Sequence, residues 1–438
     1  MGKRLLESGG VRLLESGGTR LLEGFLDLYD GVSMVIEAAF AAGSGFAVWD
    51  TGTWGTAIWG PDEVWTDITS WVRHQEGVQI GRAFSRELEG WNAGSCSFAL
   101  DNSDGRFSPS NLSGPYVDGG LTQVRPWTPI RIRAAYGGVE YPLFRGYALS
   151  WTESWVRGAD LAITKVECVD ELAALARFDG YEQPAVGAGE RFGPRLHRIL
   201  NNAGHQGNRA IDVGEFTFQA TTLAANTVTE LKLVADSEGG ALWVDADGTI
   251  VGVGQGGLLG KTPVVTFGDG PGELRYRDVI SAYDGDLVAN VVAFARTGGT
   301  VNIAADSDSR ALLRGDKRYT RTDLVCETDG QVQGLADLYL HRHKNPEERF
   351  VALIVTPRSD PTTLWPQVLG RKPLDLITVK RTPPGGDLIS RDCFIAGVRH
   401  RFDANSWTTT FPLVSATAYS PLGTWDAATW DTTLWGPG

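Results

Sequence analysis

Between residues 65 and 175, apolar and polar positions alternate in short runs: SWVRHQEGVQIGR, GSCSFALDN, PIRIRAAYGG, YPLFRGYALSW and DLAITKVEC. Runs of this length with a period of two, cut by Gly, Pro, Asn and Asp, predict half-buried antiparallel strands. VDELAALARF then shifts to the helical period and closes the block as a short amphipathic helix. Upstream, SMVIEAAFAAG reads as one apolar strand.

Residues 190–290 follow another pattern. PRLHRILNNAG and TELKLVADSEGG carry helical periodicity, and the second stops at a Gly pair suited to a left-handed C-cap. ALWVDADGTIVGVG places two alternating runs around Asp-Gly, the strongest short hairpin signal in the chain. Turn chemistry accounts for both Asp245 and Asp247 there. From 287 onward strands return in LVANVVAFARTGG, RFVALIVTP, LDLITVKRTPPGG, DCFIAGVRHRFD and WTTTFPLVSA, with one helix expected in QVQGLADLYLHRHKN.

The last strands echo the first block. PIRIRAAYGG, LFRGYALSW and DLAITKVEC correspond to LITVKRTPPGG, CFIAGVRHRF and WTTTFPLVSA. Each series runs strand, Gly-Gly hairpin, a strand with a Phe and a nearby Gly (Phe144 and Gly146; Phe394 and Gly397), a polar turn and a closing strand. The fold class expected is mainly β with an α+β middle section: two small related antiparallel β-barrels plus helical and hairpin insert domains. The expected divisions are an arm at 1–33, a strand and Trp-rich unit at 34–64, a first barrel at 65–178 and an α+β domain at 179–286. A β/α domain at 287–371, with its helix near 331–344, precedes second-barrel strands at 372–418, completed by earlier segments, and a terminal Trp-rich unit at 419–438.

Two repeats lie at the ends. RLLESGG, VRLLESGG and TRLLEG recur with a period of eight, too short for a solenoid with its own core, and suggest a peripheral arm. WDTGTWGTAIWGPD at 49–62 matches WDAATWDTTLWGPG at 425–438 in eight of fourteen positions. Trp49, Trp54 and Trp59, with Trp425, Trp430 and Trp435, are therefore candidate partner- or glycan-binding residues. Each ring offers roughly 150–250 Å² of surface to cover, and packing on protein is the reading favoured over sugar stacking.

Length and composition limit the function. A chain of 438 residues exceeds one ordinary core, and 42% hydrophobic with 21% charged residues is a folded composition. The net charge is -13, with no basic run of five, which argues against tight wrapping of nucleic acid. Cys96, Cys168, Cys326 and Cys393 are scattered through strand-like runs and read as buried free thiols. The start, MGKRLLESGG, lacks the apolar core of a signal peptide, so synthesis in the cytoplasm without export is expected.

Catalytic and metal constellations are not found. There is no HExxH, GxSxG or Walker A loop. His341 and His343 are two apart on a helix, poor spacing for a shared metal, and read as a solvated helix end. His197 and His205 are isolated from Cys. DNSDGRFSP at 101–109 lacks the Glu that an EF-hand loop requires at its twelfth position, so a turn is expected. VGVGQGGLLG lacks both the loop-to-helix context and the Lys of a phosphate cradle. No enzyme, metal or cofactor is expected.

One series of motifs does point to a family. VWTDITSWVR, GRAFSRELEGWNAGSCSFALDNSDGRFSP and RPWTPIRIRAAYGGVEYPLFRGYALSW, preceded by MVIEAAFAAG, resemble minor tail proteins of long-tailed phages of actinobacteria. ADSEGGALWVDADGTIVGVG, NVVAFARTGG, DLITVKRTPPGG and FIAGVRHRF resemble the baseplate or tail-tip hub family. The resemblance covers residues 34–418. It implies a structural virion protein, a homotrimeric hub with six barrels in a pseudo-sixfold ring, joining the sixfold tail tube to a threefold tip around the DNA channel. Implied partners are the distal tail protein, the tape measure protein and other tip or fibre proteins, with DNA passing unbound. Contact with the host envelope is a further expectation. The alternatives are a hexameric distal tail protein, and a cell-wall or glycan-binding tail protein using its Trp-rich units.

Overall fold

The computed structural model describes residues 31–42, 63–83, 92–156, 161–179, 182–223 and 225–416, together with the backbone of three short strands before residue 30. The RLLESGG arm, but for those strands, and both Trp-rich units lie outside the described residues.

Seven strands form the first β unit: β1 (Val32–Ala42), β2 (Glu63–Asp67), β3 (Val78–Ala83), β4 (Ser95–Asp101), β5 (Pro129–Tyr136), β6 (Val139–Val156) and β7 (Leu161–Val169). Their alternation is the cause of their pairing. In β5, Ile130, Ile132 and Ala134 are fully buried, while the Arg residues between them are half-buried on the other face. Helix α1 (Glu171–Leu175) follows, capped by Asp170, whose carboxylate accepts from the backbone N–H of Leu172 and Ala173.

The middle section has its own core. It contains α2 (Phe192–Asn202), α3 (Thr227–Glu238) and a hairpin of β8 (Ala241–Val244) with β9 (Ile250–Val253). Gly239 ends α3 at φ 67°, the left-handed cap that the Gly pair predicted.

The chain then lays down β10 (Thr266–Phe267) and β11 (Asp278–Ala282) before β12 (Val291–Arg296), β13 (Asn302–Ala305), α4 (Ser307–Leu312), β14 (Arg318–Leu324) and α5 (Asp329–His343). One apolar cluster runs from Leu172 to Leu338 and draws on α2, α3 and α5 together.

The second β unit finishes with β15 (Arg349–Val355), α6 (Pro361–Gly370), β16 (Leu376–Arg381), β17 (Ile389–Ile395), β18 (Gly397–Phe402) and β19 (Trp407–Ser415). Strands β17 and β18 are two halves of one bent strand, since both pair with β19. The α6 helix was not expected from the sequence. Pro366 lies inside it, and its Trp365 is only 1% exposed, packed edge-on against Trp407 at 5.2 Å.

Both units have one topology. The first is ordered β1-β5-β6-β7-β4-β3, the second β10-β16-β17/β18-β19-β15-β11. Numbered by chain position within its unit, with β2 set aside as an extra strand paired off the main path with β1, each reads 1-4-5-6-3-2. The fifth strand carries a bulge in each. The β6–β7 register shifts between Ala148 and Ser150, and the β17/β18–β19 register gains one residue between Ile395 and Arg399. One pairing differs: β1 meets β5 antiparallel, whereas β10 meets β16 parallel.

The strands join in a large mixed sheet of fifteen, and among the described residues no closed ring of paired strands is seen. In each unit a connecting segment crosses from the first strand toward the third. Residues 63–73 pair with β1 at Asp67–Glu37 and reach β4 at Val72–Leu100, and residues 274–277 pair with Phe267 and reach Ile354.

Candidate functional site

The two units meet on a strand pair. β3 and β18 run antiparallel from Val78 opposite Phe402 to Ala83 opposite Gly397. Val78, Ile80, Val398, His400 and Phe402 are buried on the inner face. Phe402 stacks on Trp407 with ring centres 4.4 Å apart, which continues the aromatic contact to Trp365.

An ionic tie lies beside this joint. Arg82 of β3 donates from Nη1 to Asp245 Oδ1 at 2.8 Å, and Lys372, just before β16, donates from Nζ to Asp245 Oδ2 at 2.8 Å. One carboxylate at the tip of the β8–β9 hairpin thus holds the first unit, the middle section and the second unit. Burial alone would raise the Asp245 pKa; the Lys372 hydrogen bond and the Arg82 charge outweigh it and hold the carboxyl below its usual range. Turn chemistry therefore accounts for Asp247, which caps Thr249 N–H, but not for Asp245. The DADG motif looked complete as a turn, so the sequence offered no cue to the partner Arg82, 163 positions away.

Over the outer face of the joint runs an open groove of about 1000 Å³, lined by Gln79, Ser97, Glu167, Arg277, Arg399 and Arg401 among others. A smaller cleft of about 560 Å³ separates the first unit from the middle section. There Tyr147 donates to Glu171 at 2.8 Å, and His205 Nε2 lies 3.6 Å from the same carboxylate. Tyr147 and Glu171 are joined by a hydrogen bond, and His205 accepts from Arg209 through Nδ1.

The histidines are mostly structural. His343 is 5% exposed, so the expected solvated helix end is wrong for it. Burial and the nearby Arg349 and Arg342 charges push its pKa down to about 3. His341 remains exposed, as expected. His400 is likewise held down to about 3 by burial and by Arg82, with Nδ1 2.9 Å from Thr409 Oγ1. His197 and His205 both contact Arg209.

All four cysteines are free and buried. The 101–109 segment forms turns in which Asn102 accepts from Phe107 N–H and Asp101 from Ser103 N–H. Among the described residues no three His, Cys, Asp or Glu side chains gather as a metal site, and no helix is long and apolar enough to cross a membrane.

No family model matches this chain, and no curated protein matches it in sequence. Solved structures do. A tail protein from Neisseria meningitidis MC58 is 13% identical, with 90% of this chain and 100% of that one covered, at a TM-score of 0.55. The 43 kDa tail protein of prophage MuSo2 from Shewanella oneidensis is 14% identical, with 88% and 97% covered, at a TM-score of 0.52. The fold is thus one found in phage tail proteins, and it spans nearly the whole of both relatives.

Proposed function

We propose that this chain is a structural protein of a phage tail, and that it forms the hub at the tail tip. Three copies would set six β units in a ring, matching a sixfold tube above and a threefold tip below, with the DNA channel inside. The observation that carries this reading is the repeated strand order, 1-4-5-6-3-2 in both units, with a bulge in the fifth strand of each. A duplicated unit is what a threefold assembly needs in order to present six similar surfaces. The connecting segments 63–73 and 274–277 suit small barrels in both units. A charge of -13 suits a channel wall along which DNA passes without sticking.

The neighbours in this reading are the distal tail protein, the tape measure protein and fibre or tip components, and the location is the virion. The Trp-rich units, with Trp49, Trp54, Trp59, Trp425, Trp430 and Trp435, serve as docking elements covered in the assembled tip. Replacing Trp430 and Trp435 with Ala should leave the assembly intact and block attachment of a tip component; normal particles from that mutant would count against docking.

The test of the hub is the mass of the purified chain by light scattering over a range of concentrations. Three chains is the expected result. Six chains would instead indicate the distal tail protein, and a monomer at every concentration would overturn the ring.

A further inference from the structure

The joint between the two units is satisfied inside one chain, but its counterpart at the far ends is open. In the first unit the second strand, β3, pairs with β4 on one edge and with β18 on the other. Its equivalent in the second unit, β11, pairs only with β15 among the described residues. Likewise β18 pairs with β19 and with β3, whereas among the described residues the equivalent stretch of β6, after the bulge, pairs only with β7. Strand β5 covers β6 no further than Tyr147. Among the described residues each chain therefore has two unpaired edges, one at β11 and one at residues 150–156, and these are the equivalents of the two edges that join its own halves.

The bulges fix how the units superpose. Setting Leu149 and Ser150 on Ala396 and Gly397 puts Thr164 on Thr409, both fully buried, and Leu100 on Val355, both buried in the core. In the same superposition Trp155 falls on Phe402 and Val279 on Val78. Inside the chain Phe402 and Val78 are directly opposite and 0% exposed. Of their counterparts, Trp155 is 71% exposed, whereas Val279 is half-buried against the core; Ile280, beside it on the other face of the strand, is 47% exposed. Edge strands carrying exposed apolar side chains are templates for another strand.

We infer that copies of this chain join head to tail through an antiparallel ladder, β11 of one copy against residues 152–156 of β6 in the next, with Trp155 opposite Val279 and Ser154 opposite Ile280. The inference rests on the ring reading and supplies its subunit contact. The contact is heterologous, and repeating one relation within and between chains lets the ring close. Trp155 takes the place of Phe402, so the sheet continues from chain to chain much as it continues from unit to unit.

The test uses the full-length chain with Ser154→Cys and Ile280→Cys together, oxidised under mild conditions, with each single variant as control. Directly opposed residues on antiparallel strands come within reach of a disulfide, and the four natural thiols are buried. Covalent dimers and trimers in the double variant alone are the expected result. Light scattering on the reduced sample separates the two ideas. A three-chain assembly without cross-links overturns the ladder and leaves the ring, whereas a monomer at all concentrations overturns both. Dimers in the Ile280→Cys variant alone would mean that β11 pairs with itself, which also overturns the ladder. As an independent check, Trp155→Ala should raise the concentration of half-dissociation at least tenfold; no change would contradict the inference.

Discussion

The two β units share a strand order and differ in how their equivalent positions are finished. Phe402, at the end of the second unit's bent strand, is sealed between Val78 and Trp407. Trp155, at the end of the first unit's, stands 71% exposed. The first unit opens with an eleven-residue strand, β1, whereas the second opens with only two residues of β10 and adds α6, with its buried Trp365. Topology is thus preserved while the filling is exchanged. What the two units share is a mostly apolar inner face, the buried Thr164 and Thr409 included, and one extra residue in the fifth strand, not a particular sequence.

The comparison can be broken first at its sealed end. Phe402→Ala should cost roughly 3–5 kcal/mol, the range for emptying a packed aromatic site, measured as a fall in the denaturation midpoint of the full chain. A loss below about 1 kcal/mol would mean that the joint is not a packed core.

The ionic tie comes next. Asp245→Ala leaves Arg82 buried with its charge unmatched and should cost about 3 kcal/mol, near the low end for breaking a buried pair. Replacing Arg82 with Met in the same chain should recover part of that loss. Lys372→Ala should cost less, because its side chain is 63% exposed and screened.

A pH titration sharpens the contrast more gently. His343 and His400 have folded pKa values near 3, below the ordinary imidazole value near 6.5. The unfolded chain therefore binds protons that the folded chain refuses between those limits. Stability is fully present above about 6.5 and is lost as pH falls toward 3, at most about 1.4 kcal/mol per pH unit for each ring. His400→Gln should flatten the curve over that window. The smallest effect is expected at the open end, where Trp155→Ala should change the stability of the dissociated chain by no more than about 0.5 kcal/mol.

The sequence made much of this legible and hid the rest for identifiable reasons. Period-two alternation marked most strands, Asp-Gly marked the β8–β9 hairpin, and Gly239 marked the end of α3. The echo between the two strand series was visible because Gly-Gly turns and Phe residues punctuate both. The two short strands β10 and β11 were not, since two and five residues leave no period to read. Helix α6 was masked by Pro366, which usually argues against a helix interior. His343 looked solvated because its neighbours Arg342 and Lys344 are charged, yet the helix turns it toward Leu287. Asp245 and Arg82 could not be linked, since an ion pair between distant strands leaves no local pattern.

The central claim is that one repeated relation between β units builds the assembly. End-on image averages of the purified, assembled chain test it most directly. The account predicts a ring of six similar lobes with threefold symmetry, contributed by three chains. A ring with one lobe per chain, or a symmetry in which the two units occupy unrelated positions, would contradict it.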